Sequence, residues 1–451
     1  MYIDKLVESL GEEKVTQNKT ELTRHSQDES MHSAVKPDVV CFPVTTEDVV
    51  EIMKIAQTFN IAVTPFGAGS GLEGQAIPVN GGIVISTEGM NQIIEFRADD
   101  LAVTVQPGVT RLTLNKYINH YGMTFPIDPG ADASIGGMAA TNASGTTAVR
   151  YGSMTDQILK MTIVLADGTV VTTGTKAKKS SSGYHLNELF IGSEGTLGFI
   201  TELTLTLHGI PEEIIFARCT FKTPSLCAEA AQSVLLSGIN VRRMEFVDPN
   251  TIKRVNQYGG YTYPEKYSLF FEFAGMKQSV EEEAFFTEEI MRDLGCENWE
   301  AAKDSKDREE LWKARHEMSY AFRHVQGYDA FSSDVCVPLS ELPTMIHFAT
   351  DLLSKHAIKG GIFGHVGDGN FHTMLAFKHG NQEERDIALK INDQVVDRAL
   401  QVGGTCTGEH GVGLGKMDFQ AKEHGNSLKI MKGIKQLVDP QGILNPGKIF
   451  K

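Results

Sequence analysis

No Cys-x-x-Cys pair occurs among the six cysteines of this chain, Cys41, Cys219, Cys227, Cys296, Cys336 and Cys406. Thiols dispersed in this way argue against an iron–sulfur cluster, a cysteine-based zinc site or a disulfide framework, and they suit a reducing compartment. No window approaches the run of about 18 apolar residues that a membrane-spanning helix needs. The opening Met1-Tyr2-Ile3-Asp4-Lys5 has no basic stretch followed by an apolar one, so a secretory signal is not expected. Positive charge is scarce too: 42 Lys and Arg face 57 Asp and Glu, a formal net charge of -15. That balance argues against nucleic acid as a partner and against simple adhesion to anionic lipid. A cytoplasmic chain is expected, at most peripheral at the inner face of a membrane.

What is present points to chemistry in two glycine-rich stretches. Gly364-His365-Val366-Gly367-Asp368-Gly369-Asn370-Phe371-His372 sets two histidines on either side of a Gly-Asp-Gly-Asn tip. On a straight strand, side chains seven positions apart face opposite ways. A reversal between them, which these residues favour because they tolerate positive φ, lets both imidazoles converge. Further on, Gly408-Glu409-His410-Gly411 adds an acid and a third histidine. Three imidazoles and a carboxylate left uncovered by glycine suit a divalent metal, with one group to spare for proton transfer. The plainer alternative is histidines bonded to loop backbone. Cys406, close by, reads as a buried filler rather than a nucleophile.

At 451 residues the chain exceeds one ordinary core, and two domains are expected. The divisions fall at 1–35, a polar segment; 36–212; 213–403; and 404–451, a closing segment that returns to the first domain. Thr45-Thr46-Glu47-Asp48 opens a helix with capping residues, followed by apolar positions at helical spacing. The strand Ile61 to Phe66 runs straight into Gly67-Ala68-Gly69-Ser70-Gly71-Leu72-Glu73-Gly74. Gly69-x-Gly71-x-x-Gly74 is formally a dinucleotide fingerprint, yet no helix starts inside it, so a Rossmann domain is rejected. Consecutive glycines still expose successive amides that bind phosphate as a nest. A second small-residue tract, Pro129 to Gly145, permits close approach of backbone to something flat. Asp167-Gly168 marks a hairpin between two strands. Past Pro211, long amphipathic helices alternate with strands, among them Phe331 to Val337, as in an α+β domain. In the last stretch, Leu428 to Asn445, a helix ending in Val438-Asp439-Pro440 is expected.

With these tracts assembled, the chain resembles the FAD-linked oxidoreductases of the vanillyl-alcohol oxidase and p-cresol methylhydroxylase type. Among them it is most similar to D-lactate dehydrogenases that pass electrons to a respiratory acceptor. The matching pieces include Pro65 to Gly74, Asp128 to Gly152, Gly192 to Gly198, Ser333 to Pro338, Gly364 to His372, Gly404 to Gly411 and Asn445 to Lys448. The resemblance implies an α+β fold: a two-subdomain flavin-binding domain and a cap domain with a helix-covered antiparallel sheet. It implies FAD held by Pro65, Phe66, Gly67, Ala68, Gly69, Ser70, Gly71 and Leu72, and by Pro129, Gly130, Ala131, Asp132, Ile135, Gly136, Gly137 and Met138. Asn142, Gly145, Arg150, Gly152, Glu194, Gly195, Ile200 and Asn445 complete that set. No histidine or cysteine stands in either phosphate-binding tract, so non-covalent FAD is expected.

The same resemblance makes His365, His372 and Glu409 ligands of zinc or manganese, and His410 the general base. Arg315 becomes the guanidinium on the substrate carboxylate, a task for a planar fork, and Asn370 a substrate-side polar group. Relatives that take D-2-hydroxyglutarate carry a lysine two residues before the Asp334 position. Ser332 stands there in this chain, which favours a monocarboxylate. The implied reaction is oxidation of D-lactate to pyruvate, a glycolate oxidase flavin subunit being the alternative. Quinone, cytochrome or an electron-transfer or iron–sulfur protein would take the electrons, and a homodimer is left open. A metal-dependent hydrolase would leave both phosphate tracts unexplained.

Overall fold

Thr45 accepts the amide of Asp48 at 3.1 Å while Asp48 accepts that of Thr45 at 3.2 Å, a reciprocal cap that starts the helix Thr46–Phe59 where the sequence places it. The structure, a computed structural model, describes residues 1–302, 312, 317, 318, 320–323, 325–356 and 358–451. The chain divides into two compact units. One comprises Met1–Gly145, Tyr151–Ile210 and Glu409–Lys451; the other comprises Thr146–Arg150 and Pro211–Gly408.

In the first unit the helix Thr46–Phe59 is the crossover that parallel pairing requires. Val39–Cys41 and Val63–Phe66 both lie parallel to Ile83–Ser86, and Val15–Thr16 adds an antiparallel edge. Ile52, Met53 and Ala56 bury one helix face against Val39, Val63, Ile83 and Ile85. Leu6 and Leu10 of the first helix, Tyr2–Leu10, lie in the same core, so the segment 1–35 belongs to this unit. A second sheet runs Ile93–Arg97, Ala102–Val105, Phe199–Thr206, Ile158–Val164, Val170–Gly174, all neighbours antiparallel. The Asp167-Gly168 hairpin joins the last two strands as expected.

The closing residues finish this unit. The last helix is Ser427–Val438, ending where expected before Pro440, which cannot continue it. Leu444 bridges Val63 in parallel, and the Asn445 amide donates to the Val63 carbonyl at 2.7 Å. Asn445 Nδ2 donates to the carbonyls of Gln75 at 3.0 Å and Glu194 at 2.7 Å, and Lys448 Nζ to that of Ile77 at 2.7 Å.

The second unit carries an eight-stranded sheet. Its order is Asn298–Ala301, Glu213–Phe221, Tyr267–Gly275, Arg243–Val247, Lys359–Gly364, Asn370–Lys378, Tyr328–Ser332, with Val335–Cys336 also on Asn370–Lys378. Every pairing is antiparallel. Tyr267–Gly275 and Asn370–Lys378 are buried nearly throughout, which is why their sequences read as continuous apolar runs rather than alternating ones. The strand expected over Phe331 to Val337 is two, interrupted at Ser333-Asp334. The Ser333 amide still donates to the Thr373 carbonyl at 3.0 Å, but the return bond from the Thr373 amide goes to Ser333 Oγ at 3.1 Å instead of to its carbonyl. Lys359–Gly364 was hidden by its Gly360-Gly361 pair, where an added Cβ on Gly360 would meet the Met374 carbonyl oxygen at 2.2 Å. No helix among the described residues is long and apolar enough to cross a membrane.

Candidate active site

In the second unit the reversal expected between the two histidines is a hairpin. Phe363 pairs with His372 in register, and the turn closes at Gly369 with φ 87. A side chain on Gly369 would also strike the Val337 carbonyl oxygen at 2.2 Å. His365, just past the first strand, and His372, in the second, present their rings at 86° with centroids 5.5 Å apart. Ring nitrogens of the two lie within 4.8 Å of one another.

Each imidazole has a carboxylate at its Nδ1. For His365 it is Glu245 Oε1 at 2.7 Å, from the strand Arg243–Val247. For His372 it is Asp334 Oδ1 at 3.7 Å. Both carboxylates are fully buried. Asp334 further accepts Asn370 Nδ2 at 2.8 Å and Thr407 Oγ1 at 2.8 Å. Thr407 precedes Glu409 by two residues, so Asp334 fixes the approach of the chain to Glu409 and His410. Asn370 also donates to the Val335 carbonyl at 2.9 Å. Its amide nitrogen is thereby used, whereas its Oδ1 is buried without a partner among the described residues. A buried acceptor in that state wants a donor.

In the first unit the two phosphate-binding candidates lie together. A Cβ on Gly67 would meet Ser134 Oγ at 2.5 Å. Ser134 caps the short helix Ile135–Thr141, its Oγ accepting the Gly137 amide at 3.3 Å. The amides from Gly67 to Leu72 donate to nothing else among the described residues. They bend through Gly69 at φ 70, the arrangement a phosphate nest requires. Glu194 sits at φ 52, rare for a side-chain-bearing residue, and its carboxylate accepts the amides of Val412 at 2.6 Å and Gly413 at 2.9 Å. Burial pushes its pKa up to about 7 against those bonds. Lys448, also buried, is drawn down to about 8. Gln75 Nε2 donates to the His410 carbonyl at 2.7 Å, and His410 Nδ1 faces Glu73 Oε1 at 3.9 Å. Ser144 Oγ donates to Glu409 Oε2 at 3.2 Å.

Other candidates have local work. Asn142, at φ 50, uses its Oδ1 to hold the hydroxyls of Ser153 and Thr155, both at 2.9 Å. Asp132 accepts the Leu112 amide at 3.0 Å, at the start of the helix Arg111–Ile118. Arg150 belongs to the second unit, where its Nη1 donates to the Ala274 carbonyl. Ile200 pairs with Ile163 inside the five-stranded sheet. Gly145 and Gly152 lie against Asp128 and Asp156, where no side chain would fit. Arg315 lies outside the described residues. Sequence reasoning did not single out Glu245, Asp334, Glu73, Gln75 or Thr407 as functional. Glu73 lies inside the Gly67–Gly74 loop and Asp334 inside the Ser333–Pro338 stretch, whereas Glu245 stands 120 residues from its histidine with nothing local to mark it.

Comparison with known proteins shows the family and the fold. Residues 37–174 match the family described as FAD binding domain, and residues 210–449 match FAD linked oxidases, C-terminal domain. A zebrafish (Danio rerio) protein described as probable D-lactate dehydrogenase, mitochondrial, is 43% identical over 98% of this chain and 90% of its own. The mitochondrial D-lactate dehydrogenase [cytochrome] of Arabidopsis thaliana is 41% identical over 93% and 75%. In three dimensions the 4-ethylphenol oxidase of Gulosibacter chungangensis superposes with a TM-score of 0.81 at 18% identity, over 100% of this chain and 96% of its own. That likeness shows the fold. The cytoplasmic placement expected from the N-terminus and cysteines is overturned, since both relatives are described as mitochondrial.

Proposed function

The chain belongs to the FAD-linked oxidases, and from that premise we propose that it oxidises D-lactate to pyruvate with FAD and an acceptor other than a nicotinamide. The observation that carries the reading is the match to D-lactate dehydrogenases along nearly the whole of both chains. The phosphate nest supports FAD binding at Gly67–Leu72 and Pro129–Met138, with Asn142, Gly145, Arg150, Gly152, Glu194, Gly195, Ile200 and Asn445 around it. FAD, when bound, supplies the acceptor for the hydride leaving the substrate's second carbon.

The converging imidazoles, each backed by a carboxylate, support a divalent ion, zinc or manganese, on His365, His372 and Glu409. Such an ion supplies positive charge that lowers the pKa of a bound hydroxyl. His410 takes the hydroxyl proton at Nε2, because Glu73 at its Nδ1 side stabilises a proton there. Asn370 offers its Oδ1 to a donor, which a substrate hydroxyl is and a carboxylate is not. Arg315 holds the carboxylate. Ser332 supplies no cation for a second carboxylate, so a monocarboxylate is the substrate.

Anaerobic mixing of the purified protein with D-lactate, L-lactate, glycolate and D-2-hydroxyglutarate tests this, with and without chelator. Rapid bleaching of flavin absorbance by D-lactate, lost on chelation and restored by zinc or manganese, is the expected outcome. Preference for glycolate would change the substrate and keep the site. Bleaching indifferent to chelation would remove the metal.

A further inference from the structure

Glu245 has no part in the chemistry proposed above, yet it is a carboxylate with no solvent exposure, 2.7 Å from one ring nitrogen. Burying such a group without strong partners is costly. The geometry points to Glu245 as the positioning residue of the metal site: it holds the proton of His365 on Nδ1 and so commits the Nε2 lone pair to the ion. The inference rests on the reading of His365 as a ligand.

Three features carry it. Oε1 of Glu245 reaches Nδ1, not Nε2, and a carboxylate accepts, so the hydrogen on that contact belongs to the ring. The two residues are clamped by backbone as well as by side chain. Phe246, next to Glu245, pairs with Gly364, next to His365, across antiparallel strands. Gly364 itself has no room for a side chain, because a Cβ there would meet the Phe371 Cα at 2.4 Å. Strand position, ring orientation and tautomer are therefore fixed together before any ion arrives. A free neutral imidazole has no such commitment, and a carboxylate behind a ligating ring also raises its basicity.

An ion on the far nitrogen draws electron density from the ring and strengthens the Nδ1–H bond to Glu245, so the carboxylate and the ion stabilise each other through the imidazole. Loss of a partner of this kind weakens metal binding by about 10- to 100-fold.

The test has two readouts. Histidine tautomers are read in the metal-free protein from long-range proton–nitrogen spectra of the chain labelled at histidine nitrogen, with His365→Gln assigning the resonance. Zinc affinity is measured by competition with a chromogenic chelator. In the unaltered protein His365 carries its proton on Nδ1. Glu245→Gln, which keeps shape and an acceptor oxygen, is expected to weaken zinc about tenfold, and Glu245→Ala about 100-fold with the proton redistributed towards Nε2. FAD content equal to that of the unaltered protein reports a folded variant; should Glu245→Ala not fold, Glu245→Gln carries the test. An unchanged tautomer in Glu245→Ala, a ring protonated on both nitrogens in the unaltered protein, or unaltered zinc affinity in either folded variant overturns the role of Glu245 and leaves the metal site standing. Zinc binding indifferent to His365→Gln overturns the metal reading itself, and the inference with it.

Discussion

Gly67 stands so close to Ser134 that a single added carbon would lie 2.5 Å from its hydroxyl oxygen. Two tracts separated by more than sixty residues of sequence are thus fitted to one another through the absence of a side chain. The next atoms in reach are 3.7 Å away, so the hydroxyl alone sets the limit. Gly67→Ala should lower FAD affinity at least about tenfold, the equivalent of about 1.4 kcal/mol, read from flavin fluorescence on titration. Adding Ser134→Ala removes the clashing atom and should recover most of the loss. A Gly67→Ala protein that binds FAD normally would show that the nest does not hold the cofactor.

Asp248 accepts the Thr251 amide at 2.8 Å, capping the helix Pro249–Gly259, although it is wholly buried. Burial raises its pKa from an ordinary 3.8 to about 6. The folded chain then holds a proton that the unfolded chain releases first, so stability falls as pH climbs between those values and is level above about 6. The contribution is on the order of 3 kcal/mol. Asp248→Asn keeps the cap and removes the ionisation. Denaturation midpoints of the variant should lack this part of the decline between pH 4 and 6, and an identical slope would refute the assignment.

His410→Ala should leave FAD bound and slow flavin reduction by D-lactate roughly 100- to 10,000-fold, the range of a lost general base. Stopped-flow absorbance decides it. Rapid reduction by the variant would move the proton acceptor elsewhere.

Ser332 ends the strand Tyr328–Ser332, two residues before the buried Asp334. Ser332→Lys should raise the ratio of kcat/KM for D-2-hydroxyglutarate over D-lactate about tenfold, as expected for one charged hydrogen bond. No change in the ratio would mean that position 332 does not face the substrate.

Much of the fold and of the candidate site was legible in sequence because the features are local. The Thr45 box, the Asp167-Gly168 hairpin and the turn between His365 and His372 each lie within a few residues, where φ preferences and capping act. What escaped notice is long-range. Glu245 sits in an apolar strand, and only pairing across the sheet reveals its histidine. Gly360 and Gly361 give no local strand signal, because close packing in the fold, not local conformation, requires them. Asp132 and Asn142 are cofactor groups by the resemblance, and the fold adds local tasks that sequence does not show: Asp132 accepts the Leu112 amide and Asn142 holds two hydroxyls.

The parallel bridge between Val63 and Leu444 also has a meaning in time. A ribosome makes Val63 well before Leu444, and at about 5–20 residues per second the interval is on the order of a minute. Throughout it, the nascent first unit lacks the pieces that occupy the carbonyls of Val63, Gln75, Ile77 and Glu194. The second unit, continuous apart from five residues, is synthesised entirely within that wait. Vectorial synthesis therefore reverses the order of the sequence: the later-made unit is the first able to close, and the earlier one waits for Leu444, Asn445 and Lys448.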